Sequence, residues 1–339
     1  MPPLLPRNCP RCGAEVKPQQ QNCFRCGLDL AAPQYPQPDH IIARKGTSER
    51  LGCALIVLAL LLLLGGGVYG VYALGSLAQS PITTTSLHTS VTYASVSLTV
   101  LSVQQARNFA DDPSPSQDGM LRVELQAQNK TADPVHLVYS DIAQLVLPGG
   151  KVQKPAYVRA NGAIEPDATQ TSMVDFSVPA TVKPAQLVLR LGSTSQAQMD
   201  IPLVTGADLS KYEPKKTDLH NTLQFRGLDW SLTSATTQWS VNGQQASKGK
   251  RFVIFTLRVD NTLAQTSIPG SAYDYMRLKA GSATLSPIDT TMPVSFDAGA
   301  TGKTGTVTFL VPQGLNQFTL IFHSQKPDGF DQATTDVQL

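Results

Sequence analysis

Residues 121–129 read LRVELQAQN and residues 252–261 read FVIFTLRVDN. In the first stretch Leu121, Val123, Leu125 and Ala127 alternate with Arg122, Glu124, Gln126 and Gln128. That period of two is the signature of a strand with one apolar face and one wet face. In the second stretch Val253, Phe255, Leu257 and Val259 hold the same places 132 residues later, and both stretches end in Asn, at Asn129 and Asn261. Phe252 and Ile254 make the other face of the second copy apolar as well, so that strand is expected to be covered on both sides by a neighbour.

The correspondence extends in both directions. Val96, Leu98 and Val100 precede the first stretch as Leu228, Trp230 and Leu232 precede the second. After one inserted residue, Asp141 and Leu145 match Asp274 and Leu278, and Val174-x-Phe176-x-Val178-Pro179 matches Val307-x-Phe309-x-Val311-Pro312. Leu187-Val188-Leu189 matches Leu320-Ile321-Phe322, and Asp200-Ile201-Pro202-Leu203 matches Asp336-Val337-Gln338-Leu339. Six blocks in one order at a nearly constant offset mark an internal duplication. Residues 81–339 contain no cysteine and are rich in Thr, Ser and Val broken by Gly and Pro. The composition predicts a mainly β protein, with two tandem β-sandwiches at 85–205 and 217–339 stabilised by core burial alone. A short segment at 77–84 precedes the first, and a polar linker at 206–216 joins the two. A longer insertion at 237–250 and the Trp at 230 set the second copy apart.

These blocks resemble the telokin-like, immunoglobulin-like domains of unknown function found on bacterial surface proteins. The resemblance rests on LRVELQAQNKTADPVHL, SDIAQLVL and the V-x-F-x-V-P strand, and is looser over 217–339. It implies Greek-key sandwiches and an extracytoplasmic position, and no chemistry.

Upstream of the sandwiches the chain carries no Lys, Arg, Asp or Glu between Arg50 and Arg107. Residues 51–78 read LGCALIVLALLLLLGGGVYGVYALGSLA, longer than the roughly 20 helical residues that cross a hydrocarbon core. A transmembrane helix is expected over 51–76. Lys and Arg are retained on the cytoplasmic side. Arg44, Lys45 and Arg50 before the run therefore place the N-terminus inside the cell membrane and the sandwiches outside. A signal peptide has a short charged start and an apolar core of about 7–15 residues, which this segment does not match. Gly66 and Gly70 form a small-xxx-small pair, a spacing that lets two helices approach closely. Cys53 reads as a small hydrophobe at the inner edge of the span.

The other four cysteines form Cys9-Pro-Arg-Cys12-Gly13 and Cys23-Phe-Arg-Cys26-Gly27. Two C-x-x-C pairs supply four thiolates to a tetrahedral Zn²⁺, and in the reducing cytoplasm disulfides are disfavoured. Cys9, Cys12, Cys23 and Cys26 are thus the candidate metal ligands of a ribbon over residues 1–30, too small to fold without its ion. CPRCGAEVKPQQQNCFRCGLDL resembles the short zinc ribbon that opens many bacterial membrane proteins, which implies a metal-stabilised tail and no activity. Residues 31–50 follow as a Pro-rich, then basic, juxtamembrane linker. Residues 1–50 hold seven Lys/Arg and four Asp/Glu, formally +3; Zn²⁺ with four thiolates contributes about −2. Roughly +1 gives little of the phosphate neutralisation on which nucleic-acid binding depends, so no nucleic-acid partner is expected.

No nucleophile elbow, zincin helix or P-loop occurs, and the outer histidines His88, His136, His220 and His323 stand singly. Asp111-Asp112 and Asp328/Asp331 lie in polar loops that could hold Ca²⁺ but read more simply as solvated. The expected function is that of a non-enzymatic, single-pass cell-surface binding or spacer protein with an extracytoplasmic ligand or protein partner. The alternative is a sensor that couples an outer ligand to a cytoplasmic partner through the zinc ribbon.

Overall fold

A computed structural model describes residues 7–8, 15–16, 81–113, 118–160, 162–323 and 332–339. The chain divides into two compact units, residues 1–76 and 77–339. In the first, β1 (Arg7–Asn8) pairs antiparallel with β2 (Glu15–Val16), and Val16 is buried. Residues 51–76, expected to span a membrane, lie outside the described residues; no helix among the described residues is long and apolar enough to cross one.

The second unit is mainly β, built from antiparallel sheets. Its first half runs β3 (Thr83–Tyr93), β4 (Val96–Ala106), β5 (Met120–Asn129), β6 (Val135–His136), α1 (Tyr139–Ile142), β7 (Ala143–Val146), β8 (Val152–Gln153), β9 (Tyr157–Arg159), β10 (Ala163–Ile164), β11 (Thr169–Ser177), β12 (Val188–Leu191) and β13 (Met199–Pro202). One sheet has the order β3-β4-β5-β11-β9, the other β13-β12-β7-β8, and β6 pairs with β10 at the margin. The inward residues of β5 meet Leu145, Leu189, Leu191 and Ile201 of the opposite sheet in one core.

The second half repeats this arrangement. Its strands are β14 (Lys215–Phe225), β15 (Leu228–Gln238), β16 (Ser240–Val241), β17 (Gln244–Gln245), β18 (Lys250–Asp260), β19 (Met276–Ala280), β20 (Ala283–Leu285), β21 (Asp289–Thr290), β22 (Lys303–Pro312), β23 (Gln317–His323) and β24 (Gln332–Gln338), with α2 (Ala272–Tyr275) before β19. The order β14-β15-β18-β22-β21 reproduces the first five-stranded sheet, and β24-β23-β19-β20 reproduces the four-stranded one. Register irregularities recur at the same places: Ser86/Thr89 and Asp218/Asn221, Val100/Ser102 and Leu232/Ser234. The second core is more aromatic. Trp230 takes the place of Leu98 and packs against Phe322, Phe296 and Tyr275 at centroid distances of 5.0, 5.8 and 5.9 Å.

The two strand-terminal asparagines do one structural job. Asn129 is fully buried; its Nδ2 donates to Asp133 O and Ile164 O, and its Oδ1 accepts from Thr131 N. Asn261, equally buried, donates to Gln265 O, Phe296 O and Asp297 O and accepts from Leu263 N. Each closes a turn two residues on and satisfies carbonyls of a loop 35 residues away, which backbone alone does not reach.

Two expectations need adjusting. Arg122 does not face water, because the connection after β4 folds over it and leaves it only 7% exposed. The polar segment at 206–216 is not an open spacer: Leu209 and Tyr212 are buried in the first core, and the Tyr212 hydroxyl accepts a 2.6 Å hydrogen bond from Asp200 N. Strand β18 is covered on its second face, where Phe252 packs with Ala246, Ala197 and Trp239.

Asn261→Ala strands three carbonyls in or near the core. An unsatisfied buried group costs about 1–3 kcal/mol, so urea unfolding should show a loss of roughly 3 kcal/mol or more, against almost none for exposed Asn108→Ala.

Candidate functional site

The predicted zinc ligands Cys9, Cys12, Cys23 and Cys26 lie outside the described residues. What is described nearby is the antiparallel pairing of Arg7 with Val16 and of Asn8 with Glu15. Among the described residues no group of three or more His, Cys, Asp or Glu is placed to hold a metal. Asp328 and Asp331 are not described.

Two connections between equivalent strands distinguish the sandwiches, and both cover a sheet face. In the second copy the chain between β15 and β18 forms the β16–β17 hairpin. It turns at Asn242-Gly243, both at positive φ (48° and 75°), the residue pair that a type I′ turn favours. This hairpin docks on the first sandwich. Ser240 Oγ accepts from Ser95 N at 2.9 Å, Gln245 Oε1 accepts from Ala94 N at 3.2 Å, and Gly243 N donates to Ser95 Oγ at 3.2 Å. Gln245 Nε2 donates to Ala197 O, Ala197 N donates to Ala246 O at 2.7 Å, and Lys248 N donates to Ser195 O at 2.8 Å. Trp239 Nε1 donates to Lys211 O, and the Trp239 ring meets Tyr212 edge-on at 6.2 Å.

The tip of the β3–β4 hairpin shows what this docking secures. Ala94 and Ser95 sit at φ 49° and 62°. Left-handed backbone costs a non-glycine residue roughly 1–2 kcal/mol. Their amides are the ones bonded across the junction, so the contact offsets that strain. Tyr93, whose hydroxyl donates to Gln196 Oε1 at 2.8 Å, is held protonated well above the ordinary phenol range by burial. Tyr93, His136, Leu137, Ile142, Gln196 and Gln244 line a cleft of about 310 Å³ beside the hairpin. Its polar groups are amides, a phenol and one imidazole, suited to neutral hydrogen-bonding ligands.

In the first copy the described residues 107–113 of the corresponding connection fold back onto their own sheet. Arg122 on β5 makes a two-pronged pair with Asp175 on β11, Nε to Oδ1 and Nη2 to Oδ2, both 2.8 Å. It also donates to Asp111 at 2.8 and 3.2 Å and to Asp112 at 3.3 Å, while Phe109 lies 4.2 Å below the guanidinium. Arg159 on β9 pairs with Asp111. Three carboxylates thus share one buried guanidinium, and the Asp112 and Asp175 side chains are 1% and 0% exposed. Asp112 is therefore enclosed in this clamp, while Asp111 at its rim stays 39% exposed. Burial, reinforced by the adjacent Asp175, pushes the Asp112 carboxyl up to about 6; Arg122 holds Asp111 down at about 2. In the second copy the cross-strand pair is Ile254 and Thr308, an uncharged solution at the same place.

Sequence reasoning located the insertion at 237–250 without seeing its role. The Asn242-Gly243 pair was the legible signal for a hairpin. Arg122 offered none, because a charge at a period-two position reads as solvent-facing.

No family model and no curated protein matches this chain. Among solved structures, a functionally unknown protein from Listeria monocytogenes EGD-e aligns at 13% identity over 38% of this chain and 87% of its own, with a TM-score of 0.28. A conserved domain protein from Bacillus anthracis aligns at 10% identity over 76% of this chain and 90% of its own, with a TM-score of 0.21. Likenesses this slight carry no argument about fold or function.

Asp112 has a folded-state value near 6 against 3.8 when unfolded, so between those values the folded chain binds the extra proton. Stability from this group is present below pH 4 and is lost as pH rises to 6. Urea midpoints measured from pH 4 to 7 should show this decline in the native chain. It should be absent in Asp112→Asn; an identical decline in the variant would count against the assignment.

Proposed function

We propose that this chain is a single-pass, membrane-anchored protein whose two outer sandwiches act together as one rigid binding or spacing element at the cell surface, without catalysis. The observation that carries the reading is the junction. Six hydrogen bonds between backbone or short side chains, with Ala246 and Phe252 buried behind them, join the sandwiches where a flexible tether would leave them independent. Inter-domain motion is the default when contacts are few and wet. A chain that spends an insertion on fixing that angle has a use for a fixed geometry.

On this reading the sandwiches are of the immunoglobulin-like kind, supported by the paired five- and four-stranded antiparallel sheets. The apolar run at 51–76, with its basic inner flank, anchors them with the N-terminus cytoplasmic. Cys9, Cys12, Cys23 and Cys26 hold Zn²⁺, and the β1–β2 pairing supports a knuckle there. The ion supplies folding free energy to a segment with almost no core. The sandwiches, free of cysteine, owe nothing to it. Their ligand or partner is extracytoplasmic, and a cytoplasmic protein is the natural partner for the ribbon.

Protease added to intact cells should remove a C-terminal epitope and spare an N-terminal one. The full chain in detergent should contain one zinc per molecule, and chelation should release it while leaving the main unfolding transition in place. Protection of the C-terminus in intact cells, or collapse of that transition with the metal, would contradict the reading.

A further inference from the structure

Duplication makes each sandwich a control for the other, and the cleft beside the docking hairpin is a place where they part. Tyr93 pairs with Val96 as Phe225 pairs with Leu228, so Tyr93 answers to Phe225. Val135 pairs with Ile164 as Ser267 bridges Phe296, so His136 answers to Ile268. Ile142 ends α1 as Tyr275 ends α2. In the second sandwich Phe225 stacks on Tyr275 with ring centroids 5.8 Å apart, and both rings are buried. At the same three places the first sandwich has a phenol, an imidazole and a smaller aliphatic side chain, and a cleft of about 310 Å³. Both copies fold on one frame, so the frame does not require polar groups there.

The protein orients the polar groups of this cleft. Gln196 Oε1 accepts from the Tyr93 hydroxyl at 2.8 Å and from Ser193 N at 2.9 Å. These two bonds settle which end of the amide is oxygen and leave Nε2 with no hydrogen-bond partner among the described residues. Tyr93 commits its proton to Gln196, so its oxygen meets a ligand as an acceptor. Burial raises this phenol well above its ordinary range and keeps that proton in place at neutral pH. A free donor and a free acceptor thus stand side by side. Gln245 is engaged at both ends, accepting from Ala94 N and donating to Ala197 O, which fixes the wall opposite. Leu137 and Ile142 supply apolar lining, and His136 and Gln244 stand exposed at the rim.

We infer that this cleft binds one neutral sugar ring, with Gln196 Nε2 donating to a ring hydroxyl and Tyr93 Oη accepting from its neighbour. The described lining has no Lys, Arg, Asp or Glu, so an ionic ligand would lose water without gaining a counter-charge. A wholly apolar ligand would cover the Gln196 amide and leave it unpaired. A neutral molecule that donates and accepts on adjacent atoms satisfies both groups. Vicinal hydroxyls of a pyranose do this, while its C–H faces rest on Leu137 and Ile142. A volume of about 310 Å³ lies at the small end of the roughly 300–1,000 Å³ of ligand clefts and suits one ring rather than a chain. Tyr93, His136 and Gln196 come from the first sandwich, Gln244 and Gln245 from the second. The inference therefore rests on the reading of the pair as one rigid binding element.

Saturation-transfer NMR on the full chain, held in a detergent without a sugar headgroup, reads this binding. The probes are glucose, galactose, mannose and N-acetylglucosamine, with glucuronate and glucosamine as charged counterparts. At least one neutral sugar should bind with a Kd of about 1–10 mM, the range for so small a polar ligand, and the charged pair roughly ten-fold more weakly. Tyr93→Phe, which copies the second sandwich, should weaken binding about five-fold through one lost hydrogen bond. Ile142→Tyr, which brings in the ring found at Tyr275, should abolish it. Urea unfolding establishes that each variant is folded; if either is not, the native chain's choice between neutral and charged sugars decides. No signal from any neutral sugar at about 50 mM overturns the inference. So does binding untouched by both substitutions, or tighter binding of the charged pair. Protease access, zinc content and the fixed relation of the sandwiches are read by other measurements, so a chain that passes those and ignores sugars sinks this inference alone.

Discussion

The outer unit depends on a hairpin grown out of one sandwich and bonded to the tip of another. Ser240 and Gln245 reach the amides of Ser95 and Ala94, which sit in left-handed backbone. Either sandwich has a core sufficient for itself, and neither core requires the other. What the hairpin adds is a definite relation between them. The pattern is economical because its groups are main-chain amides, serine hydroxyls and glutamine amides, which neither titrate near neutrality nor repel.

The same connection was put to two uses after duplication. In the second copy it became the docking hairpin, and the sheet beneath it turned apolar, with Phe252, Leu310 and Ile254. In the first copy it became a strap held by Arg122, and the cross-strand pair beneath it is Arg122–Asp175. A buried ion pair gains little over a well-packed apolar pair, and losing one partner is expensive. The first solution is therefore the more sensitive to pH, with Asp112 raised by burial beside Asp175, and the second is indifferent to it.

Much of this architecture was legible in the sequence because burial imposes a period. The alternation in 121–129, its recurrence at 253–261 and the V-x-F-x-V-P strands marked the sheets and their doubling. The apolar second face of β18 announced a cover, and Phe252 under Trp239 and Ala246 is that cover. The junction was not legible. Its bonds run through main-chain atoms and through Ser and Gln, residue types that also fill any exposed loop. Arg122 misled for a related reason: one-dimensional pattern gives a residue's face, and only the fold shows what crosses that face.

The claim on which the rest turns is that the two sandwiches hold one fixed relation. Spin labels placed through non-native amino acids at exposed Thr171 and Thr304 of the full chain would report it directly by pulsed electron resonance. The account predicts a single narrow distance distribution that broadens when the hairpin loses Ser240 and Gln245 to alanine. A broad distribution in the unaltered chain, or one indifferent to those substitutions, would contradict it.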